Sequence, residues 1–289
     1  MALDRVHSSE TQLFYTGVRI PAIQSIQFST EKNTTDVRPL GDLSYGERIL
    51  NSNQTAAFSY SNIITTGASG QDPFYNYQLS QSGFMNTTSY GFNIKDFAGQ
   101  NTITGAYLSS YSLKGSVGDF VQGESAYVGD VVSFDASSAI SFSDMSNDSF
   151  SVFKPKNIAI VTSGSMASAG TGTISTAALN IQSFDLSIGV SRQPVNRLGS
   201  RTPDFRYPSL PIDGALNVSF LKNSVTGIDM GPLVIDTGTI AIELKDDTDS
   251  TIMTFVNSGC SLKSVSESVD LDGNNVINFS YVICIKKWK

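Results

Sequence analysis

The sequence predicts a mainly β protein made of two tandem β-sandwich modules, each with at most one short helix. Three observations favour this class. Residues 23–29 reappear in similar form at 181–187, and the dipeptide that begins at Leu40 reappears at Leu198, at the same offset and without a gap. Apolar and polar residues alternate with period two at matching places in both halves, as they do in half-buried strands. Only 16% of the residues are charged, and Ser, Thr, Asn and Gly are plentiful.

Two further motifs recur later in the chain. Residues 94–96 and 112–114 are matched in the same order by 244–246 and 261–263, at offsets slightly smaller than that of the first match. Smaller offsets are expected where loops differ in length between two copies of one module. Repetition of this kind reflects architecture, and 289 residues are enough for two cores of ordinary size.

The predicted modules span residues 1–150 and 151–289. The boundary lies in a stretch rich in Ser, Ala and Gly, within which 162–176 is predicted to be a flexible loop. A short helix is predicted at 72–79, where an aspartate at the N-cap is followed by proline. A weaker counterpart of this helix lies near 223–230.

Strands are predicted wherever the alternation is clear. At 184–190 the apolar side chains alternate with Asp, Ser and Gly, and the first half has the same pattern at 26–28. Near the C-terminus the second face is apolar in part, which indicates a strand covered on both sides. In chain order, the alternating stretches are residues 26–28, 56–60, 90–94, 184–190, 216–220, 240–244 and 277–285.

Two corresponding segments, 31–50 and 191–211, depart from this alternation. Both carry basic residues and proline, and loops of about 20 residues are uncommon in compact domains unless they are functional or disordered. Proline reduces the entropy lost on binding, and guanidinium groups pair with carboxylates. We therefore predict that both segments dock on a neighbouring subunit, although an ordinary hairpin with solvated charges is the alternative. The candidate interface residues are Lys32, Arg38, Arg48, Arg192, Arg197, Arg201 and Arg206.

Residues suited to catalysis or metal binding are scarce. The single histidine, His7, lies in a polar N-terminal segment, so a nucleophile with a histidine base is not expected. Cys260 and Cys284 have no counterparts in the first half, which argues against a disulfide framework. The oxygen-rich run at 270–274 lacks the distal glutamate of a calcium loop and is predicted to be a turn. We expect no enzyme, no cofactor and no metal.

The overall charge and hydropathy also limit the partners. A formal charge of −7 disfavours a surface that grips nucleic acid by neutralising phosphates, but it suits a surface past which DNA slides. The polar start does not resemble a secretory signal, and no apolar run approaches the length of a membrane helix. The expected product is made in the cytoplasm and does not enter a membrane.

The order of motifs resembles that of bacteriophage tail tube proteins. The similar residues are the strand at 181–188, the arginine- and proline-bearing run at 191–201, the strand at 215–220 and the late Ser-Leu-Lys at 261–263. The second copy carries the resemblance, and the first follows through its match to the second. The resemblance implies tube modules whose hairpins join those of neighbours into a continuous β-barrel around a lumen.

The resemblance also implies a function and a set of partners. The chain would be a structural virion protein of the phage tail, made in the host bacterium, whose stacked rings form the conduit for DNA ejection. Single-module relatives form hexamers, so a tandem copy favours a trimer with pseudo-sixfold symmetry, with a hexamer as the alternative. Contacts with other tail proteins, such as terminator, tip, baseplate or sheath proteins, and passage of DNA are expected. Alternative functions are a terminator, tip or baseplate ring of the same fold, or a tandem carbohydrate-binding adhesin.

Overall fold

The protein is mainly β, as the alternation predicts. Outside the strands, the described residues include one turn of 3-10 helix, Ala136–Ser138. The helices predicted at 72–79 and 223–230 lie outside the described residues. The computed structural model describes residues 11–31, 34–37, 47–50, 55–65, 89–140, 153, 158–163, 168–169, 172–173, 181–198, 202–221, 237–245, 248–269 and 275–285.

The described residues of the chain contain twenty strands, and the two halves hold them in a similar order. In the first half they are β1 Gln12–Tyr15, β2 Val18–Arg19, β3 Ile23–Glu31, β4 Thr34–Val37, β5 Glu47–Leu50, β6 Thr55–Ile63, β7 Tyr90–Asp96, β8 Gly99–Ser116, β9 Gln122–Gly129 and β10 Val131–Asp135. In the second half they are β11 Ile158–Ser163, β12 Ser168–Ala169, β13 Gly172–Thr173, β14 Ile181–Gly189, β15 Arg192–Val195, β16 Phe205–Pro208, β17 Ile212–Leu221, β18 Thr237–Lys245, β19 Thr251–Val269 and β20 Asn275–Ile285.

Eight of these strands form what we call the large sheet, in the order β3-β6-β9-β8-β14-β17-β20-β19. Every neighbouring pair is antiparallel. The first four strands come from the first half of the chain and the last four from the second half. The halves are therefore joined by direct pairing of β8 with β14, while the module boundary at residue 151 stays a prediction.

Smaller groups of strands complete the fold. In the first half, β2 pairs with β1, β1 pairs with β7, and β7 pairs with the beginning of β8, which also pairs with β10. In the second half, β11 pairs with β18, and β18 pairs with the beginning of β19. Strand β4 pairs with β5, and β15 pairs with β16. The prediction of a flexible loop at 162–176 is wrong in part. Strand β11 extends to Ser163, and Ser168–Ala169 pairs with Gly172–Thr173. Small and β-branched residues in this stretch form a short hairpin that alternation does not detect.

Strand β8 belongs to the large sheet and also pairs with the smaller group that contains β7 and β10, and it bends at Gly105 between these two regions. Residues 99–106 pair with β7 and β10, whereas residues 107–116 pair with β9 and β14. Gly105 has a φ of +64°, and a Cβ there would lie 2.6 Å from Oδ2 of Asp130. Strand β19 has its own left-handed glycine, Gly259, with a φ of +69°. The bend requires glycine both for its backbone angle and for the space that the aspartate occupies.

We expect Gly105→Ala to lower the free energy of unfolding by about 1–3 kcal/mol, since alanine is strained at positive φ and its methyl group would displace Asp130. Denaturant unfolding measures the loss. Gly91→Ala is the matched control, because the nearest atom to its Cβ would be 4.0 Å away. Equal stability of the two variants would contradict the importance of this bend.

The two halves place their irregularities at corresponding positions. The register shift between Ile23 and Ser25 in β3 is repeated in β14, at the residues that the sequence repeat aligns with them, Ile181 and Ser183. The shift between Leu108 and Ser110 in β8 is likewise repeated in β19. These matching ladders support the predicted tandem repeat.

The ladders correct one detail of the sequence comparison. Leu113 lies opposite Gly123, and Glu267 lies opposite Ile277, which occupies the equivalent place in β20. The counterpart of Leu113 is therefore Glu267, and the match of residues 112–114 with 261–263 is out of register. Three residues of a serine-rich strand match by composition alone, whereas the register is fixed by the hydrogen-bonded neighbours.

The apolar faces of both halves form a continuous core. In the first half the core is aromatic, with the ring of Phe92 lying 4.9 Å from that of Phe58 and 4.8 Å from that of Tyr127. In the second half Cys260 is buried, and its Sγ donates to the carbonyl of Asn257. Burial raises the pKa of this thiol to about 11, so it behaves as a core residue and not as a nucleophile.

We expect Cys260 to be unreactive towards a thiol reagent at about pH 8 while the chain is folded, and to react fully on unfolding. A Cys284→Ser background isolates the signal of Cys260. Rapid labelling under native conditions would contradict the burial of this side chain.

Candidate functional site

The candidate site consists of the strands at the two ends of the large sheet, β3 and β19. The ladder between their counterparts β14 and β8, in the middle of the sheet, shows how such strands pair. There β14 pairs with β8 from Ser183, opposite Ser116, to Gly189, opposite Ser110. The backbone N–H of Val190 donates to the carbonyl of Ser109 at 2.7 Å. At the other end of the ladder the N–H of Val117 donates to the carbonyl of Gln182 at 2.9 Å. The second half thus adds a strand to the first half along a long edge.

Strand β3 is the counterpart of β14, but in the described part of the chain it pairs only with β6. Its side chains are correspondingly uncovered. Phe28 is 45% exposed, whereas Leu186, which occupies the same position in β14, is 2% exposed. The alternation predicts a buried face for both strands, and the two strands differ in that β14 has a described neighbour on each side whereas β3 has one, β6.

Strand β19 is the counterpart of β8, and its C-terminal half forms the opposite end of the large sheet. Beyond Ser261, among the described residues, it pairs with β20 alone. Val265 is half-buried and Glu267 is exposed, whereas the corresponding Tyr111 and Leu113 of β8 are buried. Within the described ranges, this edge therefore has no equivalent of the strand β14 that covers β8.

The two uncovered edges are complementary in register. Transferring the β8–β14 ladder to β19 and β3 of a second copy places Ile26 opposite Val269 and Thr30 opposite Val265. Ser29 then lies opposite Ser266. An end-to-end contact of this kind is heterologous, because each copy uses one edge to bind the other edge of its neighbour, and it generates rings or filaments.

The polar face of the large sheet carries mostly small uncharged side chains. Ser25 and Ser61 are hydrogen-bonded through their hydroxyl oxygens at 2.7 Å, and Ser219 donates to Oδ1 of Asn278 at 2.6 Å. One complete row across the eight strands consists of Ser25, Ser61, Glu124, Ser112, Ser187, Ala215, Val282 and Ser261. Glu124 is the one charged residue of this row.

A shallow cavity lies on this face where β8 meets β14. It has a volume of about 330 Å³, and its lining includes Lys114, Asp119, Phe120 and Asp185. Lys114 lies directly opposite Asp185 in the ladder, which offsets its charge. The cavity marks the seam between the two halves of the chain.

The basic segments predicted to dock are hairpins, which we call the first hairpin (β4 and β5) and the second hairpin (β15 and β16). The second hairpin lies against the first half of its own chain. Nε and Nη2 of Arg206 donate to Oδ1 of Asp130 at 3.1 and 2.7 Å, and the side chains are only 6% and 8% exposed. Arg192 donates from Nε to the carbonyl of Leu108 at 2.9 Å and lies over the ring of Tyr107.

The other candidate interface residues are placed differently. Arg197 is 72% exposed and pairs with Asp204 at 3.0 Å within the second hairpin, as a solvated charge does. For Arg48 the structure describes only its place in β5, opposite Asp36. Lys32, Arg38 and Arg201 lie outside the described residues. A contact of these basic residues with a neighbouring chain stays a prediction.

The carboxyl group of Asp130 responds to two opposing influences. Burial raises its pKa, and the hydrogen bond and charge of Arg206 lower it, with burial the larger effect. A carboxyl whose folded pKa is raised stabilises the fold below its unfolded pKa, and this contribution is lost as the pH rises through the folded pKa. Arg206 limits that loss near neutral pH.

The described residues offer no grouping of three or more His, Cys, Asp or Glu side chains that could hold a metal ion. Asp270 to Asn274 and His7 lie outside them. Within the described part of the chain, no helix is long and apolar enough to cross a membrane. The sequence matches no protein-family model and no curated protein.

The arginines of the second hairpin are recognisable in the sequence, but their partner Asp130 is not, because it is distant from Arg206 in the chain. Nor does the sequence indicate that β3 and the end of β19 form the two edges of the large sheet in the part of the chain that the structure describes. Nothing in the periodicity distinguishes Phe28 from Leu186, because alternation reports which face a residue lies on and not whether a neighbouring strand covers it.

Proposed function

We propose that the chain is a structural, ring-forming subunit of a bacteriophage tail tube, whose rings stack into a conduit for DNA ejection. The observation that carries the proposal is the relation between the middle and the ends of the large sheet. The ladder between β8 and β14 joins two halves of one chain, and β19 and β3 present the corresponding edges for joining chains. Long unpaired edges are a hazard in a monomer, and closure into a ring removes them.

The polar face of the large sheet supports the second part of the proposal. Proteins bind DNA mainly by neutralising phosphates with Lys and Arg. On this face Asp185 lies opposite Lys114 and offsets its charge, and the nearby charged residues are the acidic Asp119 and Glu124. A lumen lined by such a face would let DNA slide without holding it.

The phage origin and a ring of six modules follow from the resemblance of residues 180–289 to tail tube proteins and not from the sheet. The trimer with pseudo-sixfold symmetry is the favoured ring, since each chain contributes two similar four-strand units to the large sheet. Localisation in the virion is part of the same proposal.

Electron microscopy of the purified chain tests the proposal. We expect rings at moderate concentration that stack into tubes of constant diameter. A single ring that does not stack would favour a terminator or tip protein of the same fold. A monomer that persists at high concentration would overturn the assembly role.

A further inference from the structure

We propose that the first hairpin, β4 and β5, docks on the second half of a neighbouring copy of this chain, with Arg48 paired to Asp213 of that copy. The inference rests on the proposed function, because it requires β3 of one copy to lie beside β19 of the next. The partner is thus a second copy of the chain, and the contact is a charged pair outside the strand ladder.

The position of Arg48 follows from the second hairpin. Arg48 lies opposite Asp36 in the first hairpin, and Arg206 lies opposite Pro194 in the second, so the two arginines occupy equivalent places in their hairpins. The second hairpin follows β14 and lies on the half of the chain to which β14 adds a strand. The first hairpin follows β3 in the same way. If β3 pairs with β19 of the next copy, the first hairpin therefore lies on the second half of that copy.

The acceptor follows from the position of Asp130, the partner of Arg206. Tyr127 in β9 corresponds to Tyr281 in β20, since they lie opposite Phe58 and Leu216, which occupy equivalent places in β6 and β17. Asp130 follows Tyr127 at the same spacing as Cys284 follows Tyr281. The position in the second half that corresponds to Asp130 is therefore Cys284, which has no carboxylate.

A carboxylate is nevertheless present beside that position. Asp213 lies directly opposite Cys284 on the adjacent strand β17, and its side chain is exposed in the single chain. Directly opposed residues share a face of the sheet, with Cβ atoms about 4.5–5.5 Å apart. The position in the first half that corresponds to Asp213 is Thr55, so the carboxylate has changed strands between the halves.

Charge reversal tests the pair. Arg48→Glu and Asp213→Arg should each raise the concentration needed for half-maximal assembly by at least about 30-fold, because each leaves a charge facing a like charge. The double variant should recover most of this loss, and what remains is the repulsion between the glutamate at position 48 and Asp36, which lies opposite it in the same hairpin. Lys245→Glu is the matched control, because this lysine pairs with the exposed Asp249 in a turn outside the large sheet, and it should assemble normally.

Sedimentation measures assembly, and circular dichroism establishes that each variant is folded. If a reversed variant does not fold, Arg48→Gln and Asp213→Asn replace it, with weaker assembly and a reduced dependence on salt as the expected result. Normal assembly of either single variant, or failure of the double variant to recover, would overturn the pair while leaving the proposed function intact. If the original chain itself forms no rings or tubes, the proposed function fails and the inference fails with it.

Discussion

Thr30→Pro should abolish assembly while leaving the single chain folded. In β14 and the residue after it, the carbonyl of Gln182 and the N–H of Val190 form hydrogen bonds with the β8 side, so the backbone groups of even-numbered residues in β14 point towards β8. The corresponding residues of β3 are also even-numbered, so the N–H of Thr30 points away from β6, along the free edge. Proline is tolerated where an edge N–H faces solvent, but it removes a hydrogen bond from a ladder and obstructs the incoming strand.

Thr30→Ala is the matched control, because it shortens the same side chain and keeps the N–H. Analytical ultracentrifugation should find Thr30→Ala assembled and Thr30→Pro monomeric, with similar thermal melting of the monomers. Assembly of Thr30→Pro equal to that of the control would contradict pairing at this edge.

Arg206→Met should lower the free energy of unfolding by about 3–5 kcal/mol, because it leaves the buried carboxylate of Asp130 without its charged partner. Replacing both residues, as Arg206→Met with Asp130→Leu, should recover most of the loss, since no buried charge remains. Denaturant unfolding of the three chains measures these differences. A loss in the single variant no larger than that of Arg197→Met would contradict the importance of the pair.

Arg197→Met is the control for this experiment. Its partner Asp204 is also near the surface, and exposed pairs contribute about 0–1 kcal/mol. The pH dependence provides a second readout. Without Arg206 the pKa of Asp130 rises further, so the deficit of Arg206→Met should be smaller at about pH 5 than at pH 7.

The sequence predicts much of the sheet and little of its edges. The alternation at 184–190 correctly identifies β14, because a strand buried on one face needs a period of two. The same alternation at 26–28 identifies β3 but cannot show that Phe28 is 45% exposed, since exposure depends on the neighbouring strand. Neighbours distant in sequence are set by the topology and not by the local pattern.

The charged contacts show a similar limit. The arginines at 191–211 are recognisable as a cluster, yet Arg206 is buried against Asp130 while Arg197 is solvated. The choice between them depends on the bend at Gly105, over which the carboxylate lies. Such a bend involves residues from two strands, so no single stretch of the sequence reports it.

Interchain disulfide formation between Ser29→Cys and Ser266→Cys, in a Cys284→Ser background, measures whether β3 and β19 of successive chains pair in the stated register. These positions form a non-hydrogen-bonded pair, in which Cα atoms about 4.5 Å apart satisfy disulfide geometry. Oxidation of the assembled chain should give a ladder of covalent oligomers in a non-reducing denaturing gel, ending at the trimer if three chains close the ring. Chains that remain monomeric, or that crosslink equally well through Ser29→Cys and Ser268→Cys, would contradict end-to-end pairing of the large sheet.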